Sequence, residues 1–100
     1  MKWGIEESVL EKIYNALKEF EDIKEVWIFG SRARGDFKPT SDIDLALIKH
    51  SIDFETLLKL KSKFEQLPIL YKVDVLDFKT LENTNLKTEI EKQARVFYRK

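Results

Sequence analysis

Between Ser8 and Phe20 the apolar residues fall at Val9, Leu10, Ile13, Ala16, Leu17 and Phe20. That spacing of three and four predicts a helix with one buried face. Ser8, or the acidic pair that includes Glu7, is placed to cap its start, and Glu21-Asp22 breaks the pattern. Lys24 to Phe29 is β-branched and aromatic and stops at Gly30, which predicts a strand. Ser31 to Thr40 contains Gly35 and Pro39 and is expected as turn and loop, with a short helix opening at Ser31. From Asp42 to Ile48 the alternation of a strand sends Ile43, Leu45 and Leu47 to one face and Asp42, Asp44 and Ala46 to the other. Phe54, Leu57, Leu58, Phe64 and Leu67 predict a second long helix, ended by Pro68. A third strand falls within Ile69 to Phe78, strongest at Tyr71 to Leu76. Leu86, Ile90 and Ala94 space a last helix, with Val96-Phe97-Tyr98 extended at its end. The order helix, strand, strand, helix, strand, helix suits an α+β fold (an α/β two-layer arrangement), a small mixed sheet with helices packed on one face. There are no repeats and no linker, so residues 1–100 read as one domain.

Composition narrows the chemistry. The 18 basic and 18 acidic residues cancel, although charged residues make up 36% of the chain. A nucleic-acid-coating protein needs a broad basic field, so no direct nucleic-acid contact is expected, and any polyanion must be handled at a local site. Cysteine is absent, which excludes disulfides, zinc–thiolate sites and cysteine nucleophiles. No apolar run reaches the ~18 residues that span a bilayer. Glu6 and Glu7 follow the first five residues without a signal-peptide pattern, so the cytoplasm is the expected location. The single histidine, His50, reads as a solvent-exposed residue after the second strand. Trp3 and Trp27 are the candidates to stack on a base, but the mid-strand place of Trp27 argues for core packing. Lys59, Lys61 and Lys63 read as the solvated side of a helix. Phe97 and Tyr98 either close the core or form a partner surface.

Three features carry chemistry. Gly30-Ser31 directly follows a strand, where a turn can aim backbone N–H groups at an anion and a glycine permits close approach of a phosphate. Arg32 and Arg34 bring cations to the same loop. A P-loop would continue after Gly35 with Lys and Ser or Thr; Asp36 and Phe37 stand there instead. By itself the turn is also what an ordinary strand-to-helix connection looks like. Asp42 and Asp44, two apart on a strand, project from one face. Their carboxylates repel unless a cation intervenes, and hard oxygen ligands suit Mg²⁺. A solvated strand face is the competing reading, though Ala46 and Ile48 continue that face. Asp74 interrupts the apolar run Val73-Asp74-Val75-Leu76, where an unpaired carboxylate is costly to bury. Asp77 competes with it but lies nearer the strand's end.

Together, Ile28-Phe29-Gly30-Ser31, Ser41-Asp42-Ile43-Asp44-Leu45 and Val73-Asp74-Val75 resemble the DNA polymerase β-type nucleotidyltransferase superfamily. Its pattern is a hydrophobic residue, Gly-Ser, an intervening loop, Asp-x-Asp and a third carboxylate on a later strand. With Gly30-Ser31-Arg32-Ala33-Arg34-Gly35, the chain from about residue 8 to 98 is similar to the minimal nucleotidyltransferase (MNT) branch. The resemblance implies a Mg²⁺-dependent nucleotidyltransferase with ATP as substrate. Asp42 and Asp44 would hold two metal ions, and Asp74 would complete the metal site near the attacking oxygen. Gly30 and Ser31 would bind the triphosphate, with Arg32 and Arg34 in the same loop. It also implies a companion, a HEPN-domain toxin in a hetero-oligomer, which this chain would silence as antitoxin by transferring AMP to a tyrosine hydroxyl. The alternative is a non-catalytic nucleotide-binding antitoxin that neutralises its partner by complex formation; the intact carboxylate trio argues for catalysis. Modification of a small molecule or an RNA end is disfavoured, because the chain ends about two dozen residues after Asp74, with no acceptor-binding domain.

Overall fold

The alternation at Ile43, Leu45 and Leu47 produces a strand with those three side chains fully buried. The computed structural model describes residues 1–100. Its elements are α1 (Glu7–Lys18), β1 (Ile23–Phe29), α2 (Ser31–Arg34), β2 (Ile43–His50), α3 (Phe54–Gln66), β3 (Val73–Asp77), α4 (Thr84–Gln93) and β4 (Arg95–Arg99), with a 3₁₀ turn at Phe78–Thr80. The strands form one mixed sheet in the order β3-β2-β1-β4, with β2 and β3 parallel and the other pairs antiparallel. No helix is long and apolar enough to cross a membrane.

The two faces of the sheet differ. Ile23, Val26 and Ile28 of β1 and Ile43, Leu45 and Leu47 of β2 join the buried faces of α1 and α3 in the main core. Phe29 and Ala46, of opposite parity, meet Ile90 of α4, with Trp27, Ile48, Leu76 and Leu86 around them. The expectation of helices on one face therefore holds for α1 and α3, whereas α4 covers the other face. That placement matters, because Asp42 and Asp44 share the α4 side.

Local chemistry explains most boundaries. α1 starts from Glu6, whose side chain makes no capping bond, so neither Ser8 nor the acidic pair caps it by side chain. Asp53 caps α3 by accepting from the Thr56 N–H at 2.8 Å. The buried stripe of α3 is Leu57, Leu60 and Phe64; Phe54 and Leu58, grouped with that stripe by spacing, stand on its flank in solvent. β3 is shorter than expected because its pairing begins at Val73 opposite Ile43, the first residue of β2, so Ile69 to Tyr71 have no strand to join. The extended Val96-Phe97-Tyr98 is a full fourth strand on β1. Phe97 and Tyr98 close the core, and the Phe97 ring lies 5.3 Å from that of Trp3 and 4.9 Å from that of Tyr14. Trp27 packs beside the second cluster and donates from Nε1 to Glu25, so neither tryptophan presents itself to a base.

His50 is buried, contrary to the solvent-exposed reading. Its Nδ1 accepts from the Ile52 N–H at 3.1 Å. An amide can only donate, so the ring proton sits on Nε2, which donates to Asp77 at 2.8 Å. A histidine with both nitrogens satisfied is buried without penalty. Asp77 is thereby committed to His50 and to the Lys79 N–H at the C-terminal ends of β2 and β3, the opposite ends from Asp44 and Asp74.

Glu25, buried on β1, accepts from Arg99 Nε at 3.0 Å and Trp27 Nε1 at 2.7 Å, with Lys49 at 3.7 Å. The Arg99 bond, then the Trp27 bond, hold its carboxyl below its ordinary value of 4.5. A lowered folded-state value means that the unfolded chain takes up the proton first. The stability from this carboxylate is present above pH 4.5 and is lost as pH falls through the folded-state value. Glu25→Gln is expected to be less stable than wild type at pH 7 and to lose less on acidification; parallel acid-unfolding curves would contradict this.

Candidate active site

β1 ends at Phe29, which pairs with Asp44 across β2. The chain then turns sharply at Gly30, with φ 76° and ψ −157°, a region open essentially to glycine alone. A Cβ on Gly30 would stand 2.6 Å from Asp44 Oδ2. The glycine is thus required twice, by its backbone and by the carboxylate pressed against it. The turn opens α2, whose first N–H groups precede any intrahelical acceptor; Ala33 and Arg34 donate back to the Gly30 carbonyl. Gly30→Ala is expected to displace Asp44 and destabilise the fold by roughly 1–3 kcal/mol. Chemical denaturation checks the stability, and unchanged stability would show that the turn relaxes freely.

The strand register gathers the acids. Asp44 of β2 lies directly opposite Asp74 of β3, and the next same-face pair is Ala46 with Leu76, both in the α4-side cluster. Asp42 precedes β2 by one residue and is exposed. Burial raises the Asp44 carboxyl above its ordinary 3.8, the charges of Asp74, Asp42 and Glu89 raise it further, and Lys72 relieves it. Lys72 Nζ stands 3.7 Å from Asp74 Oδ1. The carboxylates form an open acidic rim and do not close into a three-ligand cage.

Glu89 is a fourth acid that sequence reasoning missed. It comes from α4, expected on the same face of the sheet as the other helices, and nothing in its local spacing marks it. It also meets the Gly-Ser loop, since Arg34 Nη1 is 3.8 Å from Glu89 Oε2, while Arg34 Nε pairs with Asp36 at 3.4 Å.

Arg32 has a different place from the one expected. It is 2% exposed. Nε and Nη2 donate to the Ser41 carbonyl at 3.1 and 2.9 Å, Nη2 also to Pro39 at 3.3 Å, and Nη1 to Trp3 and Gly4 at 2.9 and 3.3 Å. The guanidinium lies 5.1 Å from the Phe37 ring and 5.0 Å from the Tyr71 ring. All of its N–H donors are committed to backbone carbonyls, so none is left for a phosphate. Arg32 instead ties the N-terminal turn to the segment ending at Ser41, one residue before Asp42. Of the two arginines, only Arg34 remains accessible at the loop.

The largest surface cleft, about 750 Å³, lies between Glu19–Asp22 and α3 and includes none of these acids. Its lining is mostly charged and polar, and Lys63 and Glu19 pair there, so it offers no comparable chemistry.

Residues 11–100 match the family described as polymerase beta, nucleotidyltransferase. A probable protein adenylyltransferase, MntA, of Haemophilus influenzae is 43% identical over 56 residues, which cover 55% of this chain and 49% of that protein. A putative protein adenylyltransferase, MJ1217, of Methanocaldococcus jannaschii is 34% identical over 84 residues, 83% of this chain and 85% of that one. The chain thus spans about half the length of the first relative and most of the second. Among solved structures, a toxin–antitoxin complex with AMP-PNP superposes with a TM-score of 0.70 at 22% identity, covering 91% of this chain and 73% of that one. A Shewanella oneidensis complex of a tri-AMPylated HEPN toxin with its MNT antitoxin superposes with a TM-score of 0.62 at 20% identity, covering 91% and 70%. The fold is shared with both, and the match over residues 11–100 establishes that this chain belongs to the polymerase β nucleotidyltransferase family.

Proposed function

We propose that this chain transfers AMP from ATP to a hydroxyl of a partner protein and acts as the antitoxin of a toxin–antitoxin pair. The observation that carries the reading is the register of Asp44 opposite Asp74, with Gly30 pressed against Asp44. One turn for phosphates and one acidic rim then meet at the end of β1. Two relatives, a probable and a putative protein adenylyltransferase, support it. The partner of this reading is a HEPN-domain toxin, and the acceptor is a tyrosine hydroxyl.

The acids fit Mg²⁺. Burial, and then the charges of Asp74, Asp42 and Glu89, raise the Asp44 carboxyl, and a cation at the rim would relieve that repulsion. An open rim suits an ion that keeps waters and substrate phosphates in its shell. Asp42, Asp44 and Asp74 would hold two such ions, and these would neutralise the phosphates and lower the pKa of the acceptor hydroxyl. The chain's own residues do the rest. The amides of Gly30 and Ser31 receive the triphosphate. Arg34 is free to leave Glu89 for a phosphate oxygen. The acceptor oxygen attacks the α-phosphorus, the bond to the bridging oxygen of the β-phosphate breaks, and pyrophosphate leaves. The hydroxyl proton passes to Asp74. Positioning and charge neutralisation supply most of the acceleration.

The test is to incubate the chain and its HEPN partner with Mg-ATP and to weigh the partner. A mass gain of whole AMP units, localised to tyrosine, is expected. A partner that is bound but unmodified would overturn the catalytic reading in favour of neutralisation by complex formation.

A further inference from the structure

Three carboxylates on one rim repel one another when no divalent ion stands among them. A cation of the chain's own stands there. Lys72 Nζ lies 3.7 Å from Asp74 Oδ1, the only ion pair that Asp42, Asp44 or Asp74 makes. Its charge reaches Asp44 as well: burial, then Asp74, Asp42 and Glu89, raise that carboxyl, and Lys72 opposes them. The backbone of Lys72 is fixed, since its carbonyl accepts from the Ile43 N–H at 2.9 Å, the residue between Asp42 and Asp44. The side chain is 71% exposed and ends in solvent. Arg34, the other cation near the rim, is committed to Asp36 and Glu89.

From this arrangement we infer that Lys72 is a resident counter-cation of the acidic rim, which holds the carboxylates together in the metal-free chain and has to be displaced from Asp74 by an arriving divalent ion. The inference rests on the proposed metal site and adds what governs entry to it. Lysine suits the task. An ammonium is a compact point charge on a flexible stem, and at 3.7 Å it lies beyond hydrogen-bonding distance. It is therefore held by attraction alone and leaves readily. A guanidinium would grip the carboxylate with two parallel bonds and keep the place against the ion. A bare ion thus competes with the ammonium. An ion that arrives with a triphosphate brings phosphate oxygens to which the freed ammonium can turn. In the metal-free state Lys72 acts through Asp44 and Asp74, as a positioning residue.

The probe is Mn²⁺ alone, titrated calorimetrically into the full chain at low salt. Lys72→Met removes the charge and keeps the stem, and is expected to tighten Mn²⁺ about three- to fivefold. Lys72→Arg is expected to weaken it by a similar factor. Lys12→Met, an exposed change on α1, is expected to leave it unmoved, which separates a local effect from net charge. With a non-hydrolysable ATP analogue bound, wild type is expected to gain more Mn²⁺ affinity than Lys72→Met. In EDTA the sign reverses. Lys72→Met should melt about 1–4 °C below wild type, with the gap closing in about 1 M salt. Asp44→Asn should then raise the melting temperature more in the Lys72→Met chain than in wild type, because the repulsion it removes is no longer relieved. A lysine with a merely structural role would lower the melt without tightening the metal. Unchanged or weaker Mn²⁺ binding in Lys72→Met, an equal shift in Lys12→Met, equal gains from the analogue, or independent effects of Lys72→Met and Asp44→Asn on the EDTA melt would each overturn the inference and leave AMP transfer standing. A wild-type chain that takes up no Mn²⁺ even with the analogue would instead remove the metal reading beneath it.

Discussion

Asp44→Asn is expected to lower AMP transfer at least about 10²–10³-fold, and in EDTA to raise the melting temperature of the same chain. The two effects have opposite signs for one reason. Asp44 is half-buried, lies opposite Asp74, and feels Asp42 and Glu89 as well. Burial and these charges raise its carboxyl above the ordinary 3.8. A raised folded-state value means that the fold prefers the protonated acid. Its contribution to stability is present below pH 3.8 and is lost as pH rises through the folded-state value, so the ionised group destabilises the metal-free fold at neutral pH. Asparagine keeps the shape and removes the charge. The stabilisation should therefore be largest at pH 7 and fade on acidification. Asp74→Asn should show the same loss of transfer, with a smaller gain in stability because Asp74 is the more exposed of the two. Thermal melts across pH and single-turnover transfer assays measure both. An Asp44→Asn chain that melts below wild type in EDTA would mean that the carboxylate is held by contacts that outweigh its repulsion. If Asp42→Asn with Asp44→Asn still neutralises the partner while transfer is lost, complex formation alone suffices for the antitoxin effect.

What could be read from the chain was whatever leaves a periodic or local mark. Alternation in Ile43–Ile48 fixes both the inward aliphatics and the outward acids, and the glycine after Phe29 marks the end of β1. The Asp44–Asp74 pairing was reachable because a carboxylate inside an apolar strand needs a partner. Contacts between distant segments leave no such mark. His50 looked exposed because its partners, Asp77 and the Ile52 amide, are set by how β3 lies on β2. Glu89 reaches the acids only because α4 crosses to the other face of the sheet. Leu58 and Leu60 are equally apolar, and only the docking of α3 on the sheet decides which is buried. Arg32 is the sharpest case, because an arginine beside Gly-Ser has the composition of a phosphate ligand, while its acceptors include carbonyls 28 and 29 residues upstream.

Substituting Arg32 is accordingly expected to act on the fold before it acts on nucleotide. The guanidinium is buried without a carboxylate; the carbonyls of Trp3, Gly4, Pro39 and Ser41 and the rings of Phe37 and Tyr71 compensate its charge. Arg32→Ala leaves those carbonyls to water or to nothing, opens a cavity, and releases the turn at Trp3-Gly4, where Trp3 itself holds a positive φ of 54°. The cost should be about 3–5 kcal/mol, the range for dismantling a buried charged network. For a chain of this size that corresponds to a fall in melting temperature on the order of 10 °C or more. Arg32→Lys should recover little, since three donors on a single nitrogen cannot reproduce a planar fork that reaches four carbonyls. Hydrogen exchange should then rise first in residues 35–42, the loop that delivers Asp42, with transfer falling as that carboxylate loses its place. A direct phosphate ligand would behave otherwise. Its replacement would leave the melting temperature near wild type and weaken ATP binding alone, and that result for Arg32→Lys would return Arg32 to the triphosphate site. Arg34, by contrast, should show that second pattern, because its partners Asp36 and Glu89 are solvent-accessible and its loss leaves nothing buried unpaired.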